Sequence, residues 1–343
     1  MHVSWNGAQS RSFSCSNGVK QGGVLSPLLF CVYVDELLVR LQSLNCGCYI
    51  GNSFVGAFGY ADDLSLLAPS LVAAKLMLSV CEDFSKDYDV MFNAGKSGHL
   101  VFHNAPVNLQ KINPLSLNGV TIPKVESALL LGTNIGSGKV VHDFSKAVGE
   151  MTYRTNLLLA RFSRCDSHTL SRLFRTYCLS LYGSPLWALD NASLTRLGVC
   201  WRRCLKRIWR ISPRTHTHLI HRIDQCSPLK QQLMSRFLTF FVSCVNSKNP
   251  VLSLLINVAQ CSYSTVGLNI RELLYELNSP HLNCNTHPDT LKKKLSKFYS
   301  NGDDHVVCLG IAIRDLCSFR DSKDYSFGNH DELVFLITLL CTY

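Results

Sequence analysis

The sequence lacks an apolar run long enough to cross a bilayer. Its longest apolar stretch, Leu333 to Cys341, is about half of the roughly 20 residues that a membrane-spanning helix needs. The polar start from Met1 to Asn6 has no secretory signal, and the chain contains neither an internal repeat nor a low-complexity tract. The 16 cysteines are scattered over 343 residues, which favours reduced intracellular thiols over a disulfide scaffold. We therefore expect a soluble globular protein with no membrane partner.

Acidic residues are scarce in the middle of the chain. Between residues 151 and 240 there are 15 Lys or Arg and 3 Asp or Glu, whereas the flanking segments are close to neutral and the whole chain carries a net charge of +10. No acidic residue occurs from 191 to 223. Such a concentration of positive charge suits a polyanionic partner, because phosphate contacts dominate the affinity of nucleic-acid-binding proteins.

Two adjacent carboxylates are the sharpest chemical signal. Asp62 and Asp63 end the tetrad Tyr60-Ala61-Asp62-Asp63, and the segment from Gly18 to Pro27 precedes them. The run from Phe54 to Leu67 is short and apolar, which predicts a buried hairpin with the aspartates at its polar tip. Adjacent carboxylates repel each other unless a cation neutralises them, so Mg²⁺ is an obvious partner. A turn with two solvated aspartates is the alternative for the tetrad alone.

The spacing of apolar residues changes along the chain. In the first part it predicts three hairpins, around Asn6-Gly7, around Asn118-Gly119 and over 128–135, and the first of these has its second strand at 12–15. It also predicts a strand at 99–103, a helix capped by Ser26-Pro27 and a helix over about 70–91. From about residue 141 the period is 3.6, which predicts helices over 142–163, 167–188, 193–211, 229–245 and 270–277. The flexible segment Gly136-Ser137-Gly138 marks the boundary between the two regimes.

These motifs resemble the reverse transcriptases of non-long-terminal-repeat, LINE-like retrotransposons. The resemblance covers about residues 10 to 210 and includes the Gly18–Pro27 segment and the Tyr60–Asp63 tetrad. It also includes the blocks Val32–Leu37, Ala68–Ser70, Phe92-Asn93 with Lys96-Ser97, Leu131-Gly132 and Tyr177–Trp187. It implies an α+β fold, with the distal part of a reverse transcriptase palm at 1–136, a basic helical thumb-like region at 137–240 and a helical C-terminal region of unclear role at 241–343.

The family resemblance also implies a reaction and its partners. The reaction is RNA-directed DNA synthesis by two-metal nucleotidyl transfer, with Mg²⁺ or Mn²⁺ as the cofactor and an RNA template, a DNA primer and dNTPs as partners. A nuclear or cytoplasmic ribonucleoprotein is the expected location. Asp62 is implied as the chief metal ligand, with Asp63 as its neighbour. The implied template and nucleotide pocket consists of Gln21, Gly22, Tyr60, Ala61 and Lys96, and the implied primer support of Leu131 and Gly132. An ordinary surface lysine is the alternative for Lys96.

A further carboxylate of this family lies on a strand well upstream of the Gly18–Pro27 segment, and the 17 residues before Gly18 leave no room for it. We therefore expect an N-terminally truncated reverse transcriptase that is weak or inactive as an isolated chain. Asp35 and Glu36 match a structural position on the first helix and do not replace the missing ligand. The alternative is a non-catalytic nucleic-acid-binding remnant of a retroelement that uses only the basic helices.

The helix predicted over 193–211 combines an apolar stripe with arginine-rich faces. Its apolar residues are Leu197, Trp201, Leu205 and Ile208, and its cations are Arg196, Arg202, Arg203, Lys206, Arg207 and Arg210. Arginines can bind phosphates bidentately without reading bases. A solvated charged face is the alternative.

Six potential metal ligands fall close together in the same part of the sequence: Cys200, Cys204, His216, His218, His221 and Cys226. Their spacing differs from the usual zinc patterns, in which two tight pairs of ligands occur. Buried free thiols are therefore favoured over a zinc site, which stays open as an alternative.

Overall fold

The computed structural model of the chain describes residues 2–14, 22–102, 114–136, 144–179, 181–189, 192–262, 264–277, 290–295 and 334–342. It divides into two compact units, Met1–Val140 with Gly328–Tyr343, and Val141–Phe327. The division lies close to the boundary predicted at Gly136-Ser137-Gly138. The roles assigned to 1–136, 137–240 and 241–343 stay predictions.

The first unit combines antiparallel strands with two helices. Its helices are α1 (Ser26–Ser43) and α2 (Leu71–Tyr88). Its strands in the N-terminal part of the chain are β1 (Ser4–Trp5), β2 (Ala8–Gln9), β3 (Tyr49–Ile50), β4 (Ser53–Phe54), β5 (Ala57–Tyr60), β6 (Asp63–Ala68), β7 (Met91–Phe92), β8 (Gly98–Phe102), β9 (Leu115–Leu117), β10 (Val120–Ile122), β11 (Ser127–Leu130) and β12 (Thr133–Gly136).

Three of the predicted hairpins are confirmed, with one change of register. Their loops are Asn6-Gly7, Asn118-Gly119 and Leu131-Gly132, and both residues of each loop have positive φ, as tight two-residue loops require. The strand after the first loop is β2, not the predicted 12–15, because a two-residue loop places Ala8 directly opposite Trp5. The predicted strand at 99–103 is β8; His103 lies outside the described residues.

Both predicted helices of the first unit form. The Ser70 hydroxyl caps α2 by accepting a hydrogen bond from the Ala73 backbone N–H at 3.1 Å. The capping role predicted for Ser26 is wrong, since Leu25 occupies the N-cap position and Ser26 is the first helical residue. Arg40 of α1 connects the two helices: its guanidinium donates to Glu36 at 3.0 Å and to Asp87 of α2 at 2.6 Å.

The last described element, β13 (Val334–Thr342), is a central strand of the first unit's sheet. It pairs antiparallel with β6 on one side and with β7 and β8 on the other, so the sheet order is β5-β6-β13-β7 with β8 also on β13. The helical expectation for 241–343 is therefore wrong at 334–342. A short continuous apolar run fits a buried strand as well as a helix, and only the pairing decides between them.

Every regular element that the structure describes in the second unit is helical. These elements are α3 (Ser145–Arg161), α4 (Ser167–Leu173), a π-helical turn (Phe174–Cys178), a 3₁₀ turn (Ser184–Leu186), α5 (Ala192–Ile208), α6 (Thr217–Asp224), α7 (Leu229–Val245), α8 (Pro250–Cys261), α9 (Thr265–Glu276) and a helical segment at 290–295. Together with the first unit they confirm the predicted α+β class. The single helix predicted over 167–188 is broken, since Gly183 has a φ of +73° and Pro185 follows it.

No single helix among the described residues has the length and hydropathy of a membrane span. Among these helices, only α8 and α9 taken together have that length and hydropathy, and the pair is bent by 78°.

A buried carboxylate joins several helices of the second unit. Asp224 is 3% exposed, and one of its carboxylate oxygens accepts hydrogen bonds from the Ser171 hydroxyl and from the Trp209 indole N–H, the latter at 2.7 Å. Arg175 Nη2 lies 3.2 Å from the other carboxylate oxygen, as an ion pair without hydrogen-bond geometry, and donates to the Asp224 carbonyl at 2.8 Å. The carboxylate therefore links α4 and the π-helical turn to the chain after α5.

Replacing Asp224 with Ala leaves the Ser171 and Trp209 donors without their acceptor. We expect the free energy of unfolding to fall by about 3 kcal/mol, the lower end for a broken buried ion pair, because Arg175 can turn towards solvent. Tryptophan fluorescence during urea denaturation measures this, since three of the four tryptophans belong to this unit. The matched control is Glu150→Ala, which removes an exposed ion pair with Arg154 and should change stability by less than about 0.5 kcal/mol. Equal effects of the two variants would contradict the proposed linking role.

Candidate active site

The two adjacent aspartates lie at the tip of the β5–β6 hairpin. Tyr60 pairs directly with Asp63, which leaves Ala61 and Asp62 as a two-residue loop. Ala61 has a φ of +50°, a backbone conformation that costs an L-residue about 1–2 kcal/mol relative to glycine. The pairing on both sides holds this loop, so both carboxylates come to the same end of the sheet. The hairpin predicted over 54–67, with the aspartates at its tip, is confirmed.

The two carboxylates differ in their surroundings. Asp62 is exposed in the loop, whereas Asp63 is half-buried at the first position of β6. Burial raises the pKa of Asp63, and the charge of Asp62 raises it further. The next residues of β6 are fully within the core, with Leu64 2% and Leu66 0% exposed. A carboxylate pair of this kind favours a bound cation, which removes the repulsion between the two charges.

Beneath the hairpin there is a cavity of about 10 Å³, lined by Asp62, Asp63 and apolar residues that include Leu37, Phe84 and Phe92. A cavity of this size holds at most about one water molecule. The apolar residues that line the cavity therefore support the hairpin from beneath. The cavity itself is too small for a nucleotide. Any ligand of the aspartates must approach from the exposed side of the loop.

The other predicted site residues lie on separate turns of the same unit. Tyr60 is 65% exposed next to the aspartates, and Lys96 is exposed in a turn that the Asn93 side chain closes by accepting from the Lys96 backbone N–H at 3.1 Å. Leu131 and Gly132 form the β11–β12 loop. Gly22 is exposed with a φ of +78°, which explains the glycine by its backbone conformation. Gln21 lies outside the described residues.

The donor chemistry of the hairpin fits a hard divalent cation, because Mg²⁺ and Mn²⁺ prefer carboxylate oxygens. Among the described residues no group of three His, Cys, Asp or Glu side chains converges on a metal position, so the hairpin offers two carboxylates. Glu36 is paired with Arg40 at 3.0 Å, which agrees with the structural role predicted for it.

The six potential zinc ligands of the second unit are likewise not grouped in threes in the described part of the chain. Cys200 and Cys204 are buried on α5, and the thiol of Cys200 contacts Thr152 of α3. His221 instead stacks on Trp201, with ring centroids 5.6 Å apart. The predicted burial of Cys200 and Cys204 is confirmed, and neither they nor Cys226 form a disulfide in the described part of the chain.

Five of the six predicted cations of α5 fall into two groups. Arg196, Arg203 and Arg207 line an open groove of about 340 Å³ between α3 and α5, where Arg207 also donates to the side-chain oxygen of Asn156 at 2.7 Å. Lys206 and Arg210 instead donate to backbone carbonyls, Lys206 to Pro213 at 2.6 Å and to Thr215 at 2.7 Å, and Arg210 to Ser163 at 2.9 Å. Arg202 lies near His221, and its charge, after burial, lowers the pKa of that histidine.

Sequence reasoning missed the groove that the first group lines. Its remaining lining residues are Val148, Thr152, Thr195, Val199, Cys200 and Cys204. The two threonines gave no signal in the sequence, and the two thiols suggested only metal ligands, because a groove between two helices depends on how the helices pack.

The antiparallel sheet with a carboxylate pair at a hairpin tip has the features of a reverse transcriptase palm, and comparison with known proteins agrees. Residues 2–135 match the family model described as reverse transcriptase (RNA-dependent DNA polymerase). This part of the chain is therefore similar to the reverse transcriptase family, whose members are RNA-directed DNA polymerases that generally use divalent metal ions.

The chain is similar to retrovirus-related Pol polyproteins of R2 elements, which are non-LTR retrotransposons. It is 37% identical over 91 residues to that of element R2DM from Drosophila melanogaster, which covers 26% of this chain and 8% of that protein. Over 92 residues it is 39% identical to that of R2 from Popillia japonica, covering 26% and 13%, and over 67 residues 43% identical to that of R2 from Nasonia vitripennis, covering 20% and 6%. The similar stretch thus spans a small part of each relative.

The raised pKa of Asp63 gives a pH dependence of definite sign. An unfolded aspartate releases its proton at about pH 3.9 and the folded one at higher pH, so between the two values the folded state holds more protons and its stability falls as pH rises. Asp63→Asn should remove this fall, whereas Asp35→Asn, at an exposed position of α1, should keep it. Hydrogen-exchange protection of peptides covering residues 57–68, measured between about pH 4 and pH 7, tests this. The prediction fails if both variants keep the same pH dependence.

Proposed function

We propose that the first unit is the distal palm of a non-LTR retrotransposon reverse transcriptase and that its reaction is RNA-directed DNA synthesis. The observation that carries the proposal is the carboxylate pair at the tip of the β5–β6 hairpin, with Asp62 exposed and Asp63 next to it. The match of residues 2–135 to the reverse transcriptase family supports the same function. The proposed substrates are an RNA template, a DNA primer and dNTPs.

Each residue of the hairpin has a part in this proposal. Asp62 and Asp63 hold the cations, and when bound these would activate the primer 3′ hydroxyl and stabilise the departing pyrophosphate. Tyr60 presents an exposed ring beside them, where the primer end can contact it. Ala61 sets the sharp turn that brings Asp62 to the surface. Lys96, Gly22 and the Leu131-Gly132 loop contact the nucleic acid from other turns of the unit.

We further propose that the chain by itself is a weak polymerase. β6 pairs with β5 along one edge and with β13 along the other. On β13 the residue opposite Asp63 is Leu340. The sequence of β13 contains no acidic residue, so the pair receives no further carboxylate from this neighbouring strand. Two carboxylates alone leave most positions of an octahedral cation to water and substrate, which weakens the binding of two cations.

Primer extension on an RNA template, with Mg²⁺ or Mn²⁺ and the purified chain, tests the polymerase proposal. We expect weak extension that falls by at least about 100-fold in Asp62→Ala, a loss typical of removing one group that stabilises charge in the transition state. Asp35→Asn is the matched control and should extend as the unchanged chain does. Extension that survives Asp62→Ala would contradict the role of the carboxylate pair.

A second readout separates metal binding from activity. Mg²⁺ should increase the hydrogen-exchange protection of residues 57–68 in the unchanged chain and in Asp35→Asn, but not in Asp62→Ala. A chain that gains protection without extending a primer would show that the cation site exists and that the catalytic machinery is incomplete.

The arginine-lined groove favours a second candidate function, which is non-catalytic binding of nucleic acid by the second unit. The side chains of Arg196 and Arg203 are exposed on the same helix, and neither forms an ion pair within the described residues. Free guanidinium groups of this kind can neutralise phosphates without reading bases. This candidate needs neither Asp62 nor a divalent cation.

The salt dependence of RNA binding distinguishes the two candidates. If Arg203 neutralises one phosphate, Arg203→Gln should reduce the slope of log affinity against log salt concentration by about 1, while Asp62→Ala should leave it unchanged. Arg236, like Arg203, is exposed, but it lies on α7 outside the groove, so Arg236→Gln should have a smaller effect. Fluorescence anisotropy of a labelled single-stranded RNA at several salt concentrations gives the slopes. Identical slopes for the two arginine variants would exclude the groove as the binding surface.

A further inference from the structure

Two thiols lie on the wall of the α3–α5 groove. Cys200 and Cys204 are one helical turn apart on α5, and both line the groove. The Cys200 thiol lies 3.3 Å from the Thr152 hydroxyl and 3.8 Å from the Val148 carbonyl, which it can reach as a donor. Cys200 is 8% exposed and contributes to the lining of the groove.

The groove favours the charged form of Cys200. Its lining includes Arg196, Arg203 and Arg207 and no acidic residue. A hydrogen bond from the Cys204 thiol has the largest effect and lowers the pKa of Cys200; burial opposes it, and Thr152 and Arg203 lower the pKa further. The same bond, together with burial, raises the pKa of Cys204. Cys200 is therefore the thiol of the pair that ionises first.

We propose that Cys200 is a reactive thiol that forms a mixed disulfide with a small anionic disulfide held by the groove arginines. The Cys200 thiolate attacks one sulfur of the incoming disulfide, a bond forms between Cys200 Sγ and that sulfur, and the original sulfur–sulfur bond breaks. The other half leaves with the electron pair as a thiolate and takes a proton from water. The small disulfide is reduced and Cys200 is oxidised, so no further oxidant is required.

Cys204 does not resolve this mixed disulfide while α5 stays helical. Side chains four residues apart on a helix have their Cβ atoms about 5–6 Å from each other, whereas a disulfide requires about 3.5–4.5 Å. Cys204 also remains a protonated thiol, for the reason given above. The adduct on Cys200 therefore persists until an external thiol removes it.

None of the other described cysteines of the second unit lines the groove. Burial, followed by the charge and hydrogen bond of Asp224, raises the pKa of Cys226 to about 12, and burial raises the pKa of Cys244. Cys261 is exposed on α8 and does not line the groove, so it serves as an internal reference for reagent access. The inference rests on the groove itself and is independent of the polymerase proposal.

Site-resolved mass spectrometry after reaction with oxidised glutathione, which is anionic, and with bis(hydroxyethyl) disulfide, which is neutral, tests the proposal. At about pH 6.5 we expect Cys200 to react with oxidised glutathione about tenfold faster in the folded chain than in the urea-unfolded chain, since a larger thiolate fraction outweighs the lower nucleophilicity of an acidic thiol. Arg203→Gln should slow this reaction severalfold and leave the neutral reagent less affected. Arg236→Gln should change neither rate.

Two results would overturn the proposal. One is modification of Cys261 with no modification of Cys200, which would show that the groove thiol is inaccessible. The other is the same ratio of the rate with oxidised glutathione to the rate with the neutral disulfide in the unchanged chain and in Arg203→Gln. That result would show that the arginines do not recruit the anion. Because the variants at Arg203 and Arg236 change exposed side chains, their folding does not limit the test.

Discussion

The pairing of β6 with strands on both of its edges is the constraint on which the candidate active site depends. Asp63 lies opposite Tyr60 on β5 and opposite Leu340 on β13. The core residues Leu64 and Leu66 follow it, and a shift by one residue would turn this set of side chains to the other face of the sheet. The register therefore fixes where the carboxylates lie. The partial burial that raises the pKa of Asp63 follows from the same register.

Some of the cations that make the second unit basic have a structural role, and others lie exposed to solvent. The apolar stripe of α5 packs into the core through residues such as Trp201 and Leu205, so the charged residues occupy the other faces of the helix. The sequence from 191 to 223 contains no acid, and some cations there donate to carbonyl groups whereas others lie exposed. Lys206 does the former and Arg203 the latter. Net charge alone therefore overstates how many cations are free to bind phosphates.

Local signals predicted the elements that local chemistry determines. The Asn118-Gly119 turn, the helix that begins near Ser70 and the tetrad at the hairpin tip all follow from residues close in sequence, and each is present in the structure. Pairing between distant segments was not predictable in this way. The strand at 334–342 lies between β6 and β8, and its apolar residues gave no indication of that partner. The α3–α5 groove likewise depends on helix packing.

The two candidate functions rest on independent observations. The match to the reverse transcriptase family model covers residues 2–135, within the first unit, and the proposed chemistry of Asp62 and Asp63 rests on it. The groove arginines begin at Arg196, so their proposed role derives from charge and exposure alone. A carboxylate pair requires cations and an arginine-lined groove requires anions, and a nucleic acid with its associated divalent cations supplies both. One polyanionic partner would thus meet the electrostatic requirements proposed for both units, and a failure of either unit to bind it leaves the inference for the other unchanged.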